Sequence, residues 1–142
     1  MSDANATIQE VFTQYQTAVY TKDVDALVDL YAEDVRIFDM WDQWSSVGSN
    51  ALREMTTAWF DSLGDDFCVV HFDAIQTIPG AALAAATAFA RYQRQSASGE
   101  VTRAMDNRIS WVLKQAASGW IIAHQHTSAP LDFKTAQARF DR

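Results

Sequence analysis

Apolar residues recur at helical spacing over the first part of the chain and at strand-like spacing over the rest, and the change falls at Gly64. Thr7-Ile8-Gln9-Glu10 has the form of a capping box, in which a threonine hydroxyl and a glutamate three residues on satisfy free backbone N–H groups at a helix start. It predicts a helix with Ile8, Val11, Phe12, Tyr15, Ala18 and Val19 on one buried stripe. Asp23 can cap a second, short helix that buries Ala26, Leu27, Leu30 and Tyr31. Val35–Asp39 reads as a short strand, and the segment from Trp41 to Gly48 as a loop despite its two tryptophans. Ser49 can cap a third helix, with Leu52, Met55, Trp59 and Leu63 inward and Gly64 as its stop.

Past Gly64, Phe67–Ile78 is β-rich and ends at the turn pair Pro79-Gly80. The alanines of Ala82–Gln93 favour helix by propensity. Turn signals bound this segment on both sides and strands flank it, so a strand is expected. Ala84, Ala86, Ala88 and Ala90 then share one face, where small side chains either leave volume unfilled or let a helix pack close. Glu100–Leu113 and Trp120–Ser128 complete the strands, with QAASG as the turn between them, and the tail after Pro130 is weakly patterned. Helices first and antiparallel strands last make the fold class α+β, with a curved antiparallel sheet wrapped around three N-terminal helices, a conical cavity between them, and one domain over residues 1–142.

Composition narrows the partners. The net charge is −7 and no Lys/Arg stripe is present, so nucleic acid is not expected as a partner. The opening MSDANATIQE lacks the basic and apolar regions of a signal peptide, and no apolar run is long enough to span a bilayer, which points to the cytoplasm and away from membranes. The single Cys68 lies between apolar neighbours, has no partner for an internal disulfide, and reads as an inert buried thiol.

Candidate chemistry concentrates on the last two strands. Strict alternation puts Trp120, Ile122, His124, His126 and Ser128 on one side, and Ile121, Ala123, Gln125 and Thr127 on the other. On the preceding strand Asp106, Arg108 and Ser110 share a face opposite to Asn107, Ile109, Trp111 and Leu113. His124 and His126 can serve as metal ligands with His71 or Asp39, as a general acid or base, or as members of a structural hydrogen-bond network.

The element order, with LVDLYAEDVRIFD (Leu27–Asp39), GSNALREMTTAWFDSL (Gly48–Leu63), NRISWVLK (Asn107–Lys114) and GWIIAHQHTSAP (Gly119–Pro130), resembles the nuclear transport factor 2-like superfamily, and within it SnoaL-like and ketosteroid-isomerase-like proteins. The resemblance covers nearly the whole chain and implies a cone-shaped fold. By analogy with the isomerases, QYQTAV puts Tyr15 at the position of a catalytic tyrosine, YAEDVRIFD puts Asp39 at the general base, and AMDNRI puts Asp106 near a second, hydrogen-bond-donating aspartate. It also implies that the histidine face of the last strand looks into the cavity. There His124, His126, Ser128 and Arg108 would form a polar floor able to hold a carboxylate or enolate, and Trp41, Trp44, Trp59 and Tyr92 would form an aromatic wall.

Each of these residues has a plainer reading. Tyr15 sits on an apolar stripe and can be core, Asp39 begins a loop and can turn it, and Asp106 beside Arg103 and Arg108 would be held ionised and unable to donate. The expected protein is a small enzyme acting by proton transfer on an apolar carbonyl compound, as an isomerase, cyclase or dehydratase, and it uses no cofactor or metal. The alternative is a non-catalytic ligand-binding or association module of the same fold. The ligand is apolar or carboxylate-bearing. A homodimer is expected through an outer sheet face carrying Asn107, Ile109, Trp111, Ile121 and Ala123.

Overall fold

The computed structural model describes residues 2–142, with side chains from residue 7. Two helices, α1 (Ser2–Tyr20) and α2 (Val24–Val28), lead into strand β1 (Tyr31–Phe38). A two-residue strand β2 (Ser46–Val47) and helix α3 (Ser49–Leu63) follow, then β3 (Phe67–Ile78), β4 (Leu83–Gln95), β5 (Val101–Ala116) and β6 (Gly119–Ser128). The helical stripe expected on α1 is buried at every position from Ile8 to Val19. The helix starts upstream of the capping box, so Thr7 lies inside it; Ala4 and Ala6 extend it at no propensity cost. On α3 the cap position belongs to Gly48, whose φ of 94° excludes most side chains, and Ser49 is the first helical residue. Its buried stripe is Leu52, Thr56, Phe60 and Leu63; Leu52 and Thr56 also line the cavity, together with Met55 and with Trp59, which packs on the edge of the core. Tyr31, expected on the second helix, instead begins β1.

The alanine-rich segment is a strand, as its bounding turns require. Its inward alanines stand opposite large residues of β5, Ala86 beside Trp111, Ala88 beside Ile109 and Ala84 beside Leu113. Small against large fills the layer, and none of the four alanines lines the cavity. The six strands form one curved sheet in the order β2-β1-β6-β5-β4-β3. Every pair is antiparallel except β1 with β6, which is parallel and makes the sheet mixed. Among the described residues no helix is long and apolar enough to cross a membrane.

One irregularity overturns the expected facing of β6. Val112 pairs with His124 but Leu113 pairs with Ile122, so Ala123 is an extra residue in the ladder, a β-bulge. Before it, Trp120 and Ile122 point into the core. After it the alternation has slipped by one, so Gln125 and Thr127 are buried and His124, His126 and Ser128 face outward. On β5 the inward face is Asn107, Ile109, Trp111 and Leu113, with Arg108 and Ser110 outward. The outer sheet face therefore does not carry Asn107, Ile109 or Trp111. Trp111 is 1% exposed and stacks on Phe12 of α1 at 4.3 Å between ring centroids.

The tail after Pro130 folds back over that outer face. Its Phe140 carbonyl accepts from the Asp106 N–H at 2.6 Å, and the Arg142 N–H donates to the Asp106 carboxylate at 3.1 Å.

Candidate active site

A cavity of about 500 Å³ lies between the inner sheet face and α1 and α3, a size that suits one small organic ligand. Its wall combines Tyr15 from α1, Tyr31, Ile37 and Asp39 from the β1 region, Leu52, Met55 and Trp59 from α3, and Tyr92, Met105, Asn107, Gln125 and Thr127 from the sheet. No Lys, Arg or His is among its lining residues, while Asp39 and Asp42 both are.

Asp39 follows the last residue of β1, where the chain leaves the sheet at the cavity mouth. Its Oδ1 accepts from the Thr127 hydroxyl at 3.1 Å, and that hydroxyl accepts from the Met40 N–H at 3.0 Å. Burial lifts the Asp39 carboxyl above its ordinary value, the bonds from Thr127, Trp41 and Met40 pull it partly back, and the nearby Asp42 charge adds to the rise.

Deeper in the cavity the Tyr15 and Tyr92 hydroxyls bond to each other at 3.1 Å. Two hydroxyls sharing one mutual bond leave one proton free to donate elsewhere. Burial drives the Tyr15 phenol well above its usual range and pushes Tyr92 up to about 12, so both stay protonated donors near neutral pH. The field of Asp39 contributes to the rise at Tyr92 and at Tyr31, which puts the carboxylate and the phenols in one electrostatic environment.

Gln125 fixes the floor. Its Oε1 accepts from the Tyr31 hydroxyl at 2.5 Å and from the Trp111 indole N–H at 2.9 Å. Trp59 meets Tyr92 edge-on at 6.0 Å and Trp41 packs against Phe140 of the tail at 5.4 Å. Cys68 also lines the cavity, its thiol pushed up by burial to about 11 and so not a thiolate near neutral pH.

Of the residues singled out in the sequence, Tyr15, Asp39, Trp41, Trp59 and Tyr92 converge on this cavity. Asp106, Arg108, His124, His126 and Ser128 do not; all five lie on the outer face. Asp106 is 4% exposed because Arg91 grips it with two bonds of 2.9 Å and the tail covers it. Arg91, rather than Arg103 or Arg108, holds the Asp106 carboxyl below the usual carboxylate range, so it is an acceptor and not an oxyanion donor. Arg108 donates to the Ser128 hydroxyl at 3.0 Å. His124 Nδ1 lies 2.6 Å from the Arg36 carbonyl, and both histidine rings stand edge-on to Phe38. His71 pairs with Gln93 on the far side of the sheet, and among the described residues no three His, Cys, Asp or Glu side chains are grouped to hold a metal. Trp44 is 97% exposed beside an open outer groove of about 860 Å³ that it shares with Phe38, Trp41, Leu131 and Phe140.

Strict alternation carried through Ala123 missed Gln125 and Thr127, and the signal that finds them is the bulge, which single-sequence periodicity does not carry; on β5 the alternation held and Asn107 was missed because the opposite face was taken as inward. Two bonds of Tyr31 and Trp111 to one glutamine are likewise visible only once β1, β5 and β6 are side by side.

A family model described as SnoaL-like domain matches residues 8–132. No curated protein matches the chain. Among solved structures, an NTF2-like protein of unknown function from Pseudomonas putida KT2440 superposes with a TM-score of 0.86 at 21% identity, covering 100% of this chain and 97% of that one. A ketosteroid isomerase-like protein from Erwinia carotovora atroseptica SCRI1043 gives 0.66 at 21% identity over 87% of this chain and 93% of that one. The protein Aln2 from a Streptomyces species gives 0.78 at 9% identity over 90% of this chain and 91% of that one. At these identities the likeness shows the fold alone, which is nuclear transport factor 2-like.

Proposed function

This chain belongs to the SnoaL-like domain family, and from that premise we propose that its cavity binds a neutral, mainly apolar carbonyl compound and moves a proton on it. The family's fold hosts isomerases and cyclases. The observation that carries the proposal is a carboxylate with a raised proton affinity in the same cavity as a bonded pair of protonated phenols. Asp39 takes a proton from the carbon beside the carbonyl, because desolvation makes a carboxylate a stronger base than it is in water. The free hydroxyl proton of the Tyr15–Tyr92 pair stabilises the enolate oxygen. The lining carries two acidic residues and no cation, which favours neutral ligands over carboxylates.

Deuterium exchange tests the proton step whatever the later reaction. Incubated with β-tetralone in deuterium oxide, the protein should speed exchange beside the ketone. Asp39→Asn should slow it by about 10²- to 10⁴-fold while binding persists, since the amide keeps the shape and loses the basicity. Exchange at the wild-type rate in Asp39→Asn sinks the assignment.

A homodimer is the second element of the proposal. Trp44 at 97% and Phe133 at 102% exposure, with Leu131 and Val112, leave large apolar side chains in water along the outer groove and sheet face. A second copy packed there covers them. Light scattering should give twice the chain mass at micromolar concentration, and Trp44→Asp should halve it. A wild-type monomer overturns this.

A further inference from the structure

Thr127 joins a fixed backbone donor to the proposed base. It stands on β6 past the bulge, is 5% exposed, and lines the cavity together with Asp39. Its hydroxyl accepts from the Met40 backbone N–H at 3.0 Å and donates to Asp39 Oδ1 at 3.1 Å. The direction of this relay is forced. A backbone N–H only donates, so the hydroxyl receives there, and its single proton is left for Asp39. Among the described residues that hydroxyl has no third partner. Turning its proton away to take one from Asp39 instead would leave the proton unpaired in a buried wall.

Two consequences fall on the carboxyl. Oδ1 is committed as an acceptor, so a proton arriving at the group binds Oδ2. The relay also closes a ring, from the backbone of the next residue through Thr127 and back to the Asp39 side chain, and this ties the carboxyl to the strand end. A reacting group misplaced by about 1 Å can lose on the order of a hundredfold in rate.

We propose that Thr127 is a positioning residue for the proton transfer: its hydroxyl holds Asp39 Oδ1 and so presents Oδ2 to the C–H bond beside the ligand's carbonyl. The proposal rests on the reading of the cavity as a carbonyl site. In the step the C–H bond breaks, its electron pair moves toward the carbonyl oxygen, and the proton bonds to Oδ2. In deuterium oxide that proton exchanges with solvent and a deuteron returns to the carbon.

Other titratable and charged groups surround Asp39. Asp42 and Glu54 lie with it at the mouth, and Arg36 and His126 share the outer groove. Tyr15, Tyr31, Tyr92 and Cys68 share the cavity. None of them bonds to the Thr127 hydroxyl, so their fields act on Asp39 alike in the wild type and in variants of Thr127.

The test follows Asp39 in two ways: titration of its carboxyl by carbon NMR, with the signal identified by its loss in Asp39→Asn, and the pH profile of β-tetralone exchange. In Thr127→Val, and in Thr127→Ala as a second variant, the charged carboxylate loses a donor, so both midpoints should rise by about one pH unit. The exchange rate on the alkaline plateau should nevertheless fall about tenfold with KM unchanged. A carboxylate made only more basic works faster and a misplaced one slower, so these opposed changes separate positioning from basicity. Thr127→Ser should restore both. If the Asp39 titration does not move, or the plateau rate holds or rises, the inference is wrong and the carbonyl site stands. If the wild type speeds no exchange while Thr127→Val still moves the titration, the carbonyl site itself falls and the inference with it.

Discussion

Gln125→Leu is the sharpest test of the cavity floor. The substitution puts an apolar side chain of similar reach in place of the amide and removes one oxygen that serves two buried donors, Tyr31 Oη and Trp111 Nε1. Each orphaned donor costs about 1–3 kcal/mol. Tyr31 lines the cavity and can recruit water, which brings its share to the low end; Trp111 is 1% exposed, lies outside the cavity lining, and cannot. The expected loss is therefore about 2–4 kcal/mol, or a fall in midpoint of roughly 10 °C for a chain of this size. Urea unfolding followed by far-UV circular dichroism at neutral pH measures it. Tyr31→Phe alone should cost about 1 kcal/mol, since Trp111 keeps its acceptor. In the Tyr31→Phe background Gln125→Leu then orphans one donor instead of two, and should cost about 1–2 kcal/mol less than in the wild type. Strict additivity of the two substitutions, or a loss below about 0.5 kcal/mol for Gln125→Leu, refutes the shared-acceptor geometry.

Asp39 carries a pH signature of definite sign. Its carboxyl is raised in the folded state by burial, so its contribution to stability is fully present below the unfolded value and is lost as pH rises through the folded one. Asp39→Asn should therefore raise the unfolding midpoint at neutral pH and have little effect in acid, whereas the exchange rate of the wild type should climb with pH across the same window; a midpoint lowered at neutral pH contradicts this. Asp106 has the opposite sign: Arg91 depresses its carboxyl, so its stabilisation is present above the unfolded value and fades as pH falls through the folded one. Asp106→Asn should destabilise at neutral pH, expose the tail to proteolysis and leave ketone exchange unchanged, with loss of exchange as the refuting result. His124→Ala with His126→Ala should also leave exchange unchanged, because both rings lie outside the cavity, and a hundredfold loss would return them to the chemistry.

The elements that local patterning could reach are those whose determinants are local. The α1 stripe was legible because every third or fourth residue from Ile8 to Val19 meets the same core. The alanine-rich β4 was legible from the turns around it rather than from its own propensity. Tyr15 and Asp39 were legible through the resemblance, and both reach the cavity. Asp106 was not, because what buries it is Arg91 on the neighbouring strand and a tail more than thirty residues further on. The parallel pairing of β1 with β6 was hidden for the same reason: nothing in either segment says which partner lies beside it.

The facing of His124, His126 and Gln125 turned on one residue, and that residue sets the electrostatics of the site as well as its shape. Without the slip at Ala123 the two imidazoles would enter the cavity, and protonation of either would put a positive charge near Asp39. An opposite charge at that range favours the ionised carboxyl and lowers its proton affinity, which weakens it as a base and invites anionic ligands. With the slip, β6 gives the cavity a glutamine and a threonine: one locks Tyr31 and Trp111, the other holds Asp39 by a neutral hydroxyl. Arg91, Arg108 and both histidines stay on the convex side, where Arg91 ties down Asp106 under the tail. A β-bulge is thus what separates a charge-neutralised outer face from an inner one in which a carboxylate remains protonatable, and the chemistry proposed for Asp39 depends on that separation.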